Sequence, residues 1–425
     1  MLARDVRLLL RPEALRRLSM RSKALGVLSG ALLAGLALPR GARAESPAAV
    51  AEAAPAADEA SKPEPARPFE LYWKEGETVF ETDGFRIGLS NRIQFRFTDQ
   101  YPDGKIQLPG TEHPGDAIGT FRIRRAKTQL AGYFWKPEIQ FELQIGWAGS
   151  DATGGSSTFS GIEDALLNWD ASKKGTFQVR VGQYKVPFGR QEFTSSERQQ
   201  FVDRSILSGE FSHSRDVGVT LWGRLAGGKV EYWAGMFNGN GRQKVFNDNN
   251  KYQYDLRLMY QPWGDVKYSE GDFESKDRPL LAIAAGFEKN NLIGSSSAPP
   301  GSFLNNTDDN TLSGDVVFKY RGFSAYAEYF SRKREPQQGA GFHSDGWQVQ
   351  GGYFLKREVF ELAFRYAWWD PSDQKRGDDQ TEIGGAANYY FLKHRFKLQA
   401  DYRSLKDETR DETDKELRAQ LQFVF

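Results

Sequence analysis

The feature that most constrains this chain is a period-two alternation of apolar and polar residues that recurs along it and runs to its last residue. In the final nine residues, Leu417, Ala419, Leu421, Phe423 and Phe425 fall on one face of a strand, with Arg418, Gln420 and Gln422 on the other. Chain termini usually fray into water, so an aromatic strand ending on Phe425 calls for a sealed environment. A barrel in lipid supplies one, because its apolar face meets hydrocarbon and its polar face a water-filled lumen. Phe425 is accordingly expected to act as an assembly signal. A soluble β-sandwich or propeller would alternate in the same way with its apolar face inward, so periodicity needs support from elsewhere in the chain.

That support begins near the N-terminus. Met20-Arg21-Ser22-Lys23 is a charged start, Ala24 to Leu38 an apolar core, and Ala42-Arg43-Ala44 a small-x-small cleavage site. Residues 1–44 read as a signal peptide whose start could be Met20. This is the only long apolar stretch, it ends in Pro39 and Gly41, and it is too short to span comfortably as an anchor. The mean hydropathy of −0.61 excludes a helical membrane protein but suits a barrel, which turns half of every strand to water. Removing residues 1–44 takes away nine Lys/Arg and two Asp/Glu, so the net charge falls from +1 to −6. Global charge therefore says nothing for an anionic ligand, and any such case rests on local placement. Zero cysteines fit an oxidising periplasmic passage.

From Glu45 to Pro68 the chain is mostly Ala, Pro and Glu, too poor in large apolar residues to build a core. Residues 45–84 read as a periplasmic tether, and 85–425 as the barrel. Sixteen strands are predicted, at about 85–98, 118–132, 138–147, 162–170, 176–185, 215–225, 229–238, 251–262, 279–289, 311–320, 323–334, 344–355, 358–369, 380–392, 395–405 and 415–425. Short connections such as Lys136-Pro137 and Arg321-Gly322 interleave with long polar ones such as 186–214, the pattern of periplasmic turns and external loops. Pro262 to Pro279 is the exception, long where a short turn is due. It hides two weak strands or decorates the turn.

With apolar faces on lipid, polar residues line a pore. Strand one points Arg86, Arg92, Gln94 and Arg96 inward, and strand two Arg122 and Arg124. Arg125 then breaks the phase. A charge on the lipid face costs roughly 2–4 kcal/mol at the midplane. A bulge keeping Arg124 and Arg125 both lumenal is the cheaper arrangement, and it restores Lys127 and Gln129 inward. Guanidinium groups bind phosphate or carboxylate oxygens by forked hydrogen bonds, so this basic stripe favours anions. Facing acids could instead neutralise it, with Glu142, Glu163 or Asp164, Glu231, Asp255, Glu328 and Glu361 available.

The run Gly182-Gln183-Tyr184-Lys185-Val186-Pro187-Phe188-Gly189-Arg190, then Thr194-Ser195-Ser196, Phe201-Val202-Asp203-Arg204-Ser205 and Arg215-Asp216-Val217-Gly218, together with Phe121-Arg122-Ile123-Arg124-Arg125-Ala126, resembles the phosphate-selective porin O and P family. The resemblance covers roughly Phe85 to Phe425. It implies a transmembrane antiparallel β-barrel of about 16 strands in the Gram-negative outer membrane, usually a homotrimer, with an inward-folded third loop. It matches Arg124 and Arg125 to the paired arginines of the pore ladder, and Ser195, Ser196 and Arg204 to the serine pair and following arginine of the constricting loop. Arg96 is a further rung outside any motif. Where phosphate-selective members carry a lysine three residues before the first serine, this chain has Glu192, which would oppose an anion; Lys185, Arg190 or Arg198 could compensate.

Other chemistries find little here. His113, His213, His343 and His394 fall singly with no metal spacing. His213-Ser214 and His343-Ser344 are loop neighbours at chance level rather than a hydrolase pair. No cofactor is expected, and the compartment argues against nucleic acid. The expected function is a passive channel for small hydrophilic anions, phosphate or polyphosphate first. A general or differently selective pore is the alternative, ahead of a barrel enzyme or a periplasmic binding protein.

Overall fold

A computed structural model of the protein describes residues 69–148, 161–242, 246–247, 249–275, 277–292, 306–337 and 339–425. The expected signal peptide and most of the tether lie outside the described residues. The strands are β1 (Glu70–Lys74), β2 (Glu77–Glu81), β3 (Phe85–Tyr101), β4 (Ile118–Phe134), β5 (Ile139–Ala148), β6 (Gly161–Asp170), β7 (Gln178–Lys185), β8 (Arg215–Leu225), β9 (Val230–Phe237), β10 (Gln253–Tyr260), β11 (Leu280–Leu292), β12 (Thr307–Tyr320), β13 (Phe323–Pro336), β14 (Phe342–Lys356), β15 (Phe360–Asp370), β16 (Gln380–Leu392), β17 (Phe396–Asp407) and β18 (Glu412–Val424). From β3 onward each corresponds to one of the sixteen predicted strands, with ends shifted by a few residues.

β3 to β18 pair in sequence order, each antiparallel to the next, and the sheet closes where β18 pairs β3 from Lys415↔Tyr101 to Val424↔Arg92. Phe425 extends the seam, its N–H donating to Asn91 O at 2.9 Å and its own O accepting from Asn91 N at 2.6 Å. Beyond the end of β18, β2 takes over as partner of β3, from Thr78↔Leu89 to Glu81↔Arg86. The β1–β2 hairpin lies within the stretch expected to be tether. Its turn, Glu75-Gly76, has φ of 50° and 89°, the left-handed pair that two-residue hairpins need.

The alternation is inverted relative to a soluble domain. Along β10, Gln253, Asp255 and Arg257 are buried while Tyr254, Leu256, Leu258 and Tyr260 are each about half exposed (48–57%). Phe364, Leu362 and Leu421 likewise face outward, and Arg365, Glu361 and Gln420 inward. Apolar outside and polar inside excludes two sheets packed on a common core.

Two connections fold into the lumen. The third long loop, 186–214, carries α1 (Arg190–Phe193), a 3₁₀ turn (Ser196–Arg198) and α2 (Ile206–Phe211). Its Val186, Phe188, Leu207 and Phe211 join Phe330 and Ala367 of the wall in an apolar cluster. Phe201 packs on Ala363 and Ala386, with the Arg365 guanidinium 4.0 Å over its ring. The second inward connection is 261–279, whose described residues form no strand. Phe273 packs on Phe354 and Tyr390, and Val266 on Met259 and Val317. Glu270 accepts from Gln200 N at 2.7 Å, tying the two inward segments together.

Candidate functional site

The two inward segments fill the half of the lumen walled by β10 to β18. Gln200 donates to Glu361 at 2.6 Å and to Ser324 at 3.0 Å. Val202 N donates to Asp401 at 2.8 Å, Ile206 N to Glu382 at 2.9 Å, and the Lys397 ammonium to Gln199 O at 2.8 Å. Gly352 makes room for this docking, because a Cβ there would stand 2.1 Å from Gln200 Nε2. What stays open is a cavity of about 1220 Å³ lined chiefly by β3 to β8 and the near face of the loop, with Lys267 to Ser269, Phe273 and Glu274 of the second inward segment and Lys393 to Arg395 of the β16–β17 turn. Thirteen Lys/Arg and eight Asp/Glu line it among the described residues, so cations predominate.

On the β3–β4 wall the register slips between Gln94 and Phe95, which leaves Arg124 as the extra residue of a bulge. Arg124 and Arg125 are both 7% exposed on the lumenal side. Sequence alone required this bulge, since otherwise one of the two would face lipid. Arg96, Arg124 and Arg125 converge on the loop carboxylate of Asp203, at 2.5, 3.5 and 3.4 Å, with Arg418 at 3.9 Å. Burial pushes the Asp203 carboxyl up, but these guanidiniums outweigh it and hold the group well below the usual carboxylate range.

The other predicted residues have distinct surroundings. Arg96 lies behind the loop rather than on the open lumen; it is 2% exposed and donates to Val202 O at 3.0 Å. Arg122 stands opposite Arg96 and so shares its face, but is exposed, on the part of β4 that extends past β5. Lys127 pairs with Glu163. Ser195 and Ser196 line the cavity, and Ser196 Oγ accepts from Arg92 at 3.3 Å. Lys185 donates to the carbonyls of Glu192 and Thr194 at 2.6 and 2.9 Å, closing the end of α1. Arg204 donates to Gln191 O and Thr194 O at 3.1 and 2.9 Å.

Glu192, expected to oppose an anion at the constriction, is taken up within the loop itself. The turn of α1 directs it to Arg204 at 3.0 Å and to Ser208 Oγ, which donates at 2.9 Å. Burial raises its carboxyl, but Arg204 and Lys185 with the Ser208 hydroxyl bring it below its ordinary value. Among the described residues, an acid that meets both arginines is Asp203. Its neighbour Arg204 was singled out in the same short motif, but nothing in the sequence tells which side of the loop faces the wall.

Two further loop and wall contacts went unassigned in the sequence. Glu197 pairs with Arg92 at 2.5 Å. Arg215 is held at 2.9 and 2.8 Å by the two oxygens of Asp164. Of the acids put forward as neutralisers, Glu163 and Asp164 meet the basic residues of the open half, and Glu231 pairs with Arg224 at 2.9 Å. Glu328 and Glu361 accept from the inward segment and its neighbours, Glu328 from Arg190 N and Glu361 from Gln200, Asn388 and Tyr390. Asp255 accepts from Gln253.

A closed sixteen-strand barrel with an apolar exterior and a loop narrowing a charged lumen is the architecture of an outer-membrane porin. The sequence profile of the phosphate-selective porin O and P family matches residues 100–425, and the chain belongs to that family. An anion-selective porin from Comamonas acidovorans has the same fold, with a TM-score of 0.56 at 12% identity, covering 80% of this chain and 100% of that one. The outer-membrane channel DcaP of Acinetobacter baumannii is similar, with a TM-score of 0.55 at 11% identity over 80% of this chain and 98% of DcaP. An uncharacterized protein of Aquifex aeolicus (strain VF5) is 23% identical over 279 residues, 59% of this chain; the match spans 64% of that curated relative's length. Family and fold point to a channel in the Gram-negative outer membrane rather than to an enzyme.

Proposed function

We propose that the chain forms a passive, water-filled channel that prefers anions, with phosphate or polyphosphate as the favoured solute. The observation that carries this reading is the composition of the open half-lumen, where cationic side chains outnumber carboxylates and Arg92, Arg124, Arg125 and Lys127 come from two adjacent strands. Guanidinium groups stay charged at every relevant pH and offer forked donors that match phosphate oxygens. Ser195 and Ser196 add neutral hydroxyls along the same path. In this reading the ladder comprises Arg92, Arg124, Arg125 and Lys127. Arg96 and Lys185 position the loop, and Arg204 is balanced by Glu192. Export through a cleaved signal at residues 1–44 and assembly as a homotrimer belong to the same proposal.

A specific observation favours the alternative of a general anion pore. Asp203, Glu197 and Glu163 already engage the ladder, so an entering anion must compete with fixed carboxylates. Phosphate block separates the two. In planar bilayers carrying chloride current, added inorganic phosphate is expected to reduce single-channel current in a saturable manner. A chloride-preferring channel whose current phosphate leaves unchanged would be a general anion porin.

A further inference from the structure

Away from the lumen, the rim of the barrel brings together carboxylates on β14, on β15 and in the residues just before β16. Asp345 on β14 lies directly opposite Asp370 on β15. Trp369 pairs with Gln380, so one step further along that register sets Asp379 opposite Asp370. Alternation from the outward Trp347 and its partner Trp368 puts Asp345 and Asp370 on the outer face, just beyond an aromatic group that includes Tyr366 and Tyr329. Ligand oxygens of Asp370, Asp378 and Asp379 lie within 4.8 Å of one another.

Like charges facing each other across strands are destabilising. Among the described residues the contacts to these side chains are neutral: Tyr329 donates to Asp345 at 2.7 Å, and Ser372 N to Asp370 at 3.0 Å. The loop's own cations, Lys375 and Arg376, are exposed to solvent.

The second observation is Asp378 itself. It is only 5% exposed, its carboxylate belongs to the cluster, and its Oδ1 is enclosed without a hydrogen-bond partner among the described residues. A buried ionised carboxylate with neither donor nor counter-charge is costly, and a bound cation removes that cost.

We propose that Asp370, Asp378 and Asp379 form a divalent-cation site of the calcium class that ties the 371–379 loop to the rim of β14 to β16. A donor set made only of oxygens suits a hard cation. Oxygens bound to one calcium lie about 2.3–2.6 Å from it, so two of them are at most roughly 5 Å apart. The observed spread within 4.8 Å meets that limit.

The test uses the full chain refolded in detergent free of lipopolysaccharide, with calcium chloride as the probe. Equilibrium dialysis is expected to find one saturable site with Kd of about 0.1–1 mM, the range of extracellular calcium modules. Asp378→Asn should weaken it at least tenfold, while Asp373→Asn, a loop acid outside the cluster, leaves it unchanged. Calcium should raise the thermal midpoint of the wild type and not that of Asp378→Asn. Should that variant fail to fold, Asp379→Asn at a half-buried position makes the same comparison. No saturable binding by the wild type, or binding that neither substitution weakens, would overturn the proposal.

Discussion

Asp203 has a dual position: it neutralises the arginine pair and it fixes the loop that carries it. Two charges about 4 Å apart attract by roughly 4 kcal/mol at an effective dielectric of 20. A passing anion must offer a comparable attraction to displace this carboxylate from Arg124 or Arg125. Asp203→Asn removes the competitor while keeping a side chain of the same size, so anion over cation permeability is expected to rise several-fold in bilayer recordings. An unchanged ratio would mean that the pair does not bear on permeation. The pH dependence follows from the depressed carboxyl. Its ionised form is favoured in the folded protein, so its contribution is full above the unfolded value of about 3.9 and is lost only as pH falls through the lower folded value. The difference between wild type and Asp203→Asn is therefore expected to persist at pH 4, measured by the same reversal potentials.

At the scale of elements, the loop depends on a few buried contacts with the wall. Phe201 fills a site between Ala363 and Ala386 beneath Arg365. Truncating a buried Phe to Ala typically costs about 3–5 kcal/mol. Phe201→Ala should therefore loosen the loop and raise single-channel conductance and its noise, with the barrel still formed. Conductance equal to the wild type would show that the polar anchors suffice. The strands were legible from sequence because each has one face in lipid and one in water, which forces the period-two pattern; even the Arg124 bulge followed from the cost of exposing a charge to lipid. The β1–β2 hairpin was not, because it is short and adjoins an Ala/Pro/Glu-rich segment. Nor was the inward course of 261–279. Its Val266, Tyr268 and Phe273 are too irregularly spaced to suggest a face, and their partners lie on other strands. Side-chain pairing of the loop with the wall, such as Asp203 with Arg124, or within the loop, such as Glu192 with Arg204, depends on how the loop lies and has no local signal.

For the whole molecule, closure of the barrel and division of its lumen are the two properties on which a channel rests. Closure runs through the β18–β3 seam, which Phe425 extends with two backbone bonds to Asn91 and a ring contact to Phe423 at 5.3 Å. Deleting Phe425 is expected to lower the yield of folded barrel, scored by heat-modifiable gel mobility. Normal yield would count against its role in assembly. Division of the lumen leaves the open path chiefly against β3 to β8, where Arg124 and Arg125 lie. The most direct test is the zero-current potential of single channels in a potassium chloride gradient, for the wild type and for a variant with both Arg124→Ala and Arg125→Ala. The wild type is expected to reverse on the chloride side of zero and the double variant to move toward the potassium side. A wild type that reverses on the potassium side, or a double variant that reverses where the wild type does, would contradict an anion-preferring pore built on this pair.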